Sequence, residues 1–292
     1  MINIIVHARL FTFCYLQNSR AWNKLKRNKS AVAGLIIITS FVLIAVSANW
    51  LPILDPAKPH WSAIRQPPSA EFWLGTDEIG RDIFSRMIWG ARASLLAGVV
   101  SVFIAVALGV PLGLIAGYFG NKTDIIISRA TDALLAMPAL ILAIALATFL
   151  NPSLTNAMIA IGFASMPVFI RLTRGQVLSI KNEEYVESAR AIGLSHFSIL
   201  ARYILPNIFA PILVQATLSI AGAILAEAAL SFLGLGQQPP NPSWGSMLNI
   251  AKNFLNQAPW MAAFPGIAIF LVVVGFNLLG DGLRDAFDPK ET

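Results

Sequence analysis

Apolar residues run along this chain in long unbroken blocks, not at period two and not as single amphipathic stripes. Six blocks are long enough to cross a bilayer, which takes about 20 apolar residues. They lie at 31–48, 93–117, 133–150, 154–170, 208–230 and 262–280, and only the fifth holds a charge, Glu227. The pattern predicts an all-α polytopic membrane protein with six transmembrane helices. Composition agrees, since 56% hydrophobic and 12% charged residues exclude a soluble domain.

Charge then orients the spans, because Lys and Arg gather on the cytoplasmic side. With six spans and both ends inside, the inner segments hold fifteen of the 21 Lys and Arg. Five of the outer six lie in loop 49–92, beside Asp55, Glu71, Asp77, Glu78 and Asp82. Both termini are therefore expected to be cytoplasmic. The net charge of +6 is this topological bias, and no nucleic-acid-binding motif accompanies it. Lys24, Lys26, Arg27 and Lys29, just before the first span, read as a topology anchor that also suits anionic membrane lipid. Cys14 is the lone cysteine and allows no internal disulfide. His7 and Arg9 interrupt the apolar first residues, which lack a small-residue cleavage site and read as a lead-in rather than a removed signal.

The connections carry their own signals. Loop 49–92 opens with Pro52, Pro56, Pro59, Pro67 and Pro68, which favour extended chain. Further on, Ile83, Phe84, Met87 and Ile88 recur at helical spacing, with Asp82 and Arg86 placed to pair at i,i+4. A short amphipathic helix on the outer face, feeding span two, is expected. Within span two, Gly109, Gly113 and Gly117 form a stripe of small residues around Pro111, suited to close helix packing or to a moving gate. Pro138 and Pro167 are kink candidates. Arg129 and Asp132 are expected to pair at the membrane edge, and Asp281, Arg284, Asp285 and Asp288 to form a charge network past span six.

Enzymatic chemistry is poorly represented. The GNKT at 120–123 lacks the spacing of a phosphate loop, and no zinc-protease or nucleophile-elbow motif is present. His7, His60 and His196 lie in separate segments. No catalytic residue, cofactor or metal site is expected. Glu227 sits near the outer end of span five, where it is either a substrate-facing carboxylate or a hydrated or packed structural group.

The polar island at 184–207 is the most distinctive segment. Tyr185, Ala189 and Ile192 would share one face of a first helix, which Gly193 can end by adopting positive φ. Ser195 then suits the N-cap of a second helix bearing Phe197, Leu200, Ala201, Ile204 and Leu205 on one stripe, with Pro206 ending it.

Glu187-Ser188-Ala189, Gly193 and Leu205-Pro206 together resemble the EAA loop of ABC importer permeases, the element that docks a separate ATPase subunit. The segments LGTDEIGRDIFSRMIWGARASL (74–95), SFLGLG (231–236), NPSWGSML (241–248) and FNLLGDGLRDAFDPK (276–290) resemble the peptide/nickel class, and within it the second of two permease subunits. Ser188 stands where that family usually has Ala, and Tyr203 where it usually has Ile. The resemblance implies a bacterial inner-membrane permease of the type-1 transmembrane fold importing peptides, with nickel complexes or glutathione as alternatives. It implies a second permease subunit, two ATP-binding ATPase subunits and an external substrate-binding protein as partners. It implies three regions: an N-terminal segment over 1–92, a permease domain over 93–284 with its coupling loop at 181–207, and a tail over 285–292. It places ATPase coupling on Glu187, Ser188, Ala189, Gly193, Leu205 and Pro206. Two readings compete with it. An ion-driven secondary transporter usually buries several ionisable residues at the midplane, where this chain has one near a span end. A scaffold that only recruits a cytosolic partner would not need the glycine and proline pattern of the spans.

Overall fold

A computed structural model describes residues 22–287 of the chain. Helix α1 (Lys29–Ser47) begins at Asn28, whose side chain accepts the Ala31 N–H at 3.1 Å. Helix α2 (Ile83–Phe119) runs 37 residues without a break, about 55 Å at 1.5 Å per residue. Then come α3 (Asn121–Leu135), α4 (Ala139–Phe149) and α5 (Leu154–Ile180). The short α6 (Glu184–Ala191) and α7 (His196–Ile199) lead into α8 (Phe209–Phe232), and α9 (Trp244–Ala251) and α10 (Trp260–Phe287) complete the fold. Among the described residues five helical runs are long and apolar enough to cross a membrane, or six if the bent pair α3–α4 counts as one. The all-α polytopic expectation holds.

That pair is where the third expected span departs from a simple helix. Its two halves meet at 90° around Pro138. Pro138 has extended backbone and offers no side-chain cap to the first N–H groups of α4. By contrast Pro111, Pro167 and Pro265 lie inside unbroken helices.

The glycine stripe serves packing. A Cβ on Gly109 would stand 2.7 Å from the Phe169 Cβ, one on Gly113 2.6 Å from the Thr173 Cβ, and one on Gly117 2.7 Å from the Val177 Cβ. Gly162 of α5 returns the contact, at 2.8 Å from the Ile104 Cβ and from the Ser101 carbonyl. The backbones of α2 and α5 thus touch over three turns, as small residues in membrane helices allow.

Helices α1 and α10 close the other side by the same device. A Cβ on Gly34 would meet the Gly275 carbonyl at 2.6 Å, and one on Gly282 would collide with Ala31. Asn28 Nδ2 donates to Asp285 Oδ2 at 3.2 Å; of the expected charge network, Asp288 lies outside the described residues. Asn28→Ala should cost about 1 kcal/mol through the lost cap, read as a lower thermal midpoint in detergent.

These contacts fix which ends lie together. Asn49 meets Arg92 at one end of the bundle, where Trp260 Nε1 also donates to the Thr76 carbonyl. The Asn28–Asp285 pair, the C-terminal turn of α2 and the 181–207 element lie at the opposite end, here called proximal.

The far end holds a buried ionic knot. Arg81 pairs with Asp77 and Glu78, both at 2.6 Å, and Arg86 with Asp77 at 3.4 Å. Arg86 Nη1 also donates to the Pro56 carbonyl at 2.8 Å and the Pro240 carbonyl at 3.4 Å. Asp82 caps α2 by accepting from the Ser85 N–H and Oγ at 2.8 and 2.6 Å, so the expected Asp82–Arg86 pair is absent. Gly80 turns with φ +83, and any Cβ there would strike the His60 carbonyl. The expected amphipathic helix on the outer face is instead the first turns of α2, with Ile83, Ser85, Arg86, Ile88 and Ala91 buried inside the protein. Phe84, Met87 and Trp89 of the same turns are only partly buried.

Candidate functional site

Lys181 follows α5, and its Nζ donates to the Gly117 carbonyl at the end of α2, 3.2 Å away. Helix α6 then starts with Glu184 and Glu187 in its first turn and ends with Arg190 in its last, signs that suit the helix dipole. It closes as a Schellman motif. The Leu194 N–H reaches the Ala189 carbonyl at 3.2 Å and the Gly193 N–H the Arg190 carbonyl at 2.9 Å. Gly193 supplies the left-handed residue this needs, at φ +77. The Ser195 oxygen accepts the Ser198 N–H at 3.3 Å and caps α7, as its sequence position predicts.

Two features of this element differ from the periodic reading. On α6 the buried face is Val186 and Ala189, while Tyr185 and Ile192 point outward, so the small Ala189 serves inward packing. On the second segment Pro206 does not end the helix. After Ile199 the chain widens into a π turn (Leu200–Ile204), tightens into a 3₁₀ turn (Leu205–Ile208) and continues as α8. The Leu205 N–H bonds to the Leu200 carbonyl, five residues back. Pro206 has no N–H to offer, and the neighbouring π and 3₁₀ turns adjust the ladder around it. The buried stripe is consequently Ile199, Ile204, Ile208 and Ile212, with a five-residue first step. Phe197, expected on the inner stripe, is 79% exposed.

The outcome is an element with two faces. Val186, Ala189, Ile199 and Ile204 root it in a core with Val110 and Val177. Glu187, Ser188 and Gly193 lie on the exposed surface, joined by Ile192, which is 69% exposed, and Phe197. Leu205 is half-buried and Pro206 exposed at the root of α8. A Cβ on Gly193 would meet nothing within 4 Å.

Next to it, charged pairs tie α3 to α5. Arg174 holds Asp124 through both guanidinium branches, and Arg171 meets Asp132 at 2.9 Å. Asp132 therefore pairs across helices and not with Arg129. The Arg171–Asp132 pair is 63% and 57% exposed.

Glu227 is remote from all this and fully buried. Ser94 Oγ of α2 donates to one carboxylate oxygen at 3.0 Å and Ser231 Oγ to the other at 2.6 Å. Ser94 Oγ in turn accepts the Trp244 N–H at 3.3 Å, and Ser231 Oγ the Gln237 N–H at 3.0 Å. The carboxylate is the hub that fastens α2, α8 and the entry to α9. Of its sequence readings, the packed structural group is the one the geometry supports. Among the described residues no group of three His, Cys, Asp or Glu could hold a metal ion.

Comparison with known proteins bears on the whole chain. Residues 109–292 match the family described as binding-protein-dependent transport system inner membrane component, and residues 17–68 match the N-terminal TM domain of oligopeptide transport permease C. The dipeptide transport system permease protein DppC of Alkalihalophilus pseudofirmus is 52% identical, over 92% of this chain and 89% of that protein. The di/tripeptide permease DppC of Pseudomonas aeruginosa is 45% identical over 92% and 91%. The glutathione permease GsiD of Pectobacterium atrosepticum is 44% identical over 92% and 90%. Among solved structures, an inward-facing MetNI methionine ABC transporter superposes with a TM-score of 0.57 at 19% identity, covering 70% of this chain and 97% of that one.

Proposed function

The chain belongs to the binding-protein-dependent transport system inner membrane components, and on that premise we propose that it carries short peptides and takes its drive at the 181–207 element. It is a multi-pass permease subunit of an ABC importer and is not itself the ATPase. Dipeptides are the cargo in this reading, supported by the name of the 52% identical relative. Glutathione, itself a short peptide, is the second reading, on the 44% identical GsiD.

The docking reading rests on one observation: an element whose inner face is rooted in the core presents Glu187, Ile192 and Phe197 with nothing of its own chain over them. Exposed apolar tips beside a charged head suit insertion into a groove on a separate ATPase. Glu187, Ser188 and Gly193 form the contact in this proposal, while Ala189, Leu205 and Pro206 set its inward packing and its junction with α8. The Lys and Arg bias makes the proximal end cytoplasmic, where an ATPase would be. A second permease completes the path, two ATPase subunits drive it and an external binding protein delivers the cargo. The α3–α4 break borders that path, because uncapped N–H groups at membrane depth require protein or water beside them.

Co-purification from native membranes tests the docking. The wild type and Gly193→Asn, which keeps the left-handed conformation accessible, should bring down an ATPase and a second permease. Gly193→Trp should lose the ATPase while remaining in the membrane, through its bulk at the contact and the strain of a bulky residue at φ +77. Normal ATPase recovery and normal uptake by Gly193→Trp would overturn the docking reading. Competition of labelled dipeptide uptake by glutathione decides between the two cargoes.

A further inference from the structure

Besides its apolar root and the Lys181–Gly117 bond, the 181–207 element touches the spanning bundle through an aromatic cluster at the last turn of α2. Tyr118 is buried there, and its Oη is hydrogen-bonded to His196 Nδ1 at 3.0 Å. The Arg190 guanidinium lies over the Tyr118 ring, 5.1 Å from its centroid. Phe119 packs edge-on against both rings, at 5.2 Å from Tyr118 and 5.6 Å from His196. Arg190 belongs to α6 and His196 to α7, so one tyrosine is gripped by both helices of the element at once.

The mechanical setting of that tyrosine is unusual. It ends a helix of 37 residues whose glycine stripe locks it to α5 and whose far end is held by Asp82, Arg86 and Trp244. Behind His196 lies the π turn, the least regular part of the track from α7 to α8. A push on the exposed tip therefore meets a firm attachment at α2 and a softer one at α8.

We propose that Tyr118, gripped by Arg190 and His196, is the positioning residue through which the 181–207 element moves the transmembrane bundle. The proposal rests on the docking reading above and adds the route by which force leaves the element. It separates attachment of the ATPase, which uses the outward face, from transmission, which uses the inward cluster. A transporter with this cluster weakened still binds its ATPase but turns ATP hydrolysis into transport less efficiently.

The test uses the complete transporter in proteoliposomes, with dipeptide uptake and phosphate release measured on the same sample. Tyr118→Phe keeps the ring, the Arg190 contact and the packing but loses the hydroxyl. His196→Ala removes the partner, and His196→Asn places an amide atom where Nδ1 stands. Transport per ATP should fall by about two- to tenfold in Tyr118→Phe and His196→Ala, the range set by one neutral hydrogen bond. His196→Asn should recover most of it, and all three should co-purify with the ATPase as wild type does. Wild-type transport per ATP in both Tyr118→Phe and His196→Ala overturns the proposal. So does loss of the ATPase from these variants, which would make the cluster part of the docking surface. Failure of docking itself is read separately, from Gly193→Trp.

Discussion

Arg86→Met should destabilise the protein by about 3–5 kcal/mol, the range for removing one partner from a buried ion pair. Methionine matches the volume and flexibility of the arginine stem, so the loss isolates the guanidinium. Two carbonyls, of Pro56 and Pro240, lose their donor, and Asp77 keeps only Arg81 to share with Glu78. Arg86→Lys should recover only part of the loss, because a point ammonium cannot reproduce a planar fork that serves three acceptors. The check is thermal unfolding of purified protein in detergent. A midpoint within a degree of wild type for Arg86→Met would mean that the knot is not holding the far end.

The same knot gives a pH dependence. Burial first, and the neighbouring Asp77 charge second, hold the Glu78 carboxyl above the ordinary glutamate range; one of its oxygens has no hydrogen-bond partner. A carboxyl raised in the folded state binds more protons folded than unfolded. Its contribution to stability is therefore greatest below the ordinary glutamate value and declines as pH rises through its folded value. Arg86→Met removes a cation that opposes that rise, so its deficit should be smallest at the acid end of this window.

Gly113→Leu should prevent the bundle from closing. Even a methyl group there would lie 2.6 Å from the Thr173 Cβ and 2.7 Å from the Ile170 carbonyl, both carried by the backbone of α5. No rotamer relieves a clash at Cβ, so the helices must separate, and contacts at Gly109 and Gly117 separate with them. Overpacking of this kind costs about 3 kcal/mol or more, the upper part of its usual range. The expected result is membrane insertion without a thermal transition, followed by proteolysis in the cell. Gly175→Ala on the opposing helix is the control, since a Cβ there meets nothing within 4 Å. It should be neutral or stabilising by about 0.5–1 kcal/mol through helix propensity.

What could be read from sequence divides along physical lines. Span positions followed from the need to match about 30 Å of hydrocarbon, a constraint that tolerates errors of a turn at each end. The Gly193 stop and the Ser195 cap were legible because each depends on local backbone chemistry that only a few residue types satisfy. Proline was less informative: Pro111 and Pro167 sit in continuous helices, whereas Pro138 marks a 90° break. A proline removes one donor wherever it occurs, and tertiary packing decides whether the helix mends around it. The inner stripe of α7 was misphased because a π turn adds a residue that periodicity cannot see. Asp82 and Arg86 were expected to pair on an outer-face helix, and Asp77 was counted only among the acids of loop 49–92. Their burial depends on partners 30 and 154 residues away, as the Arg86 bonds to Pro56 and Pro240 show. Gly75 and Gly80, both at positive φ and bracketing the acids, were the signal for that turn.

The α3–α4 break has a further meaning for the cell. A chain made without its companions would leave the bare first N–H groups of α4 with no neighbouring subunit to face them. Hydrocarbon offers such N–H groups no partner, and the cost is several kcal/mol for each one left bare. An orphan copy thus carries a mark of its own incompleteness, displayed at membrane depth and erased only by assembly. Subunits of this design favour matched synthesis from neighbouring genes and prompt destruction of any surplus. Overproduction of the chain alone is then expected to end in membrane quality control, not in a stock of spare subunits.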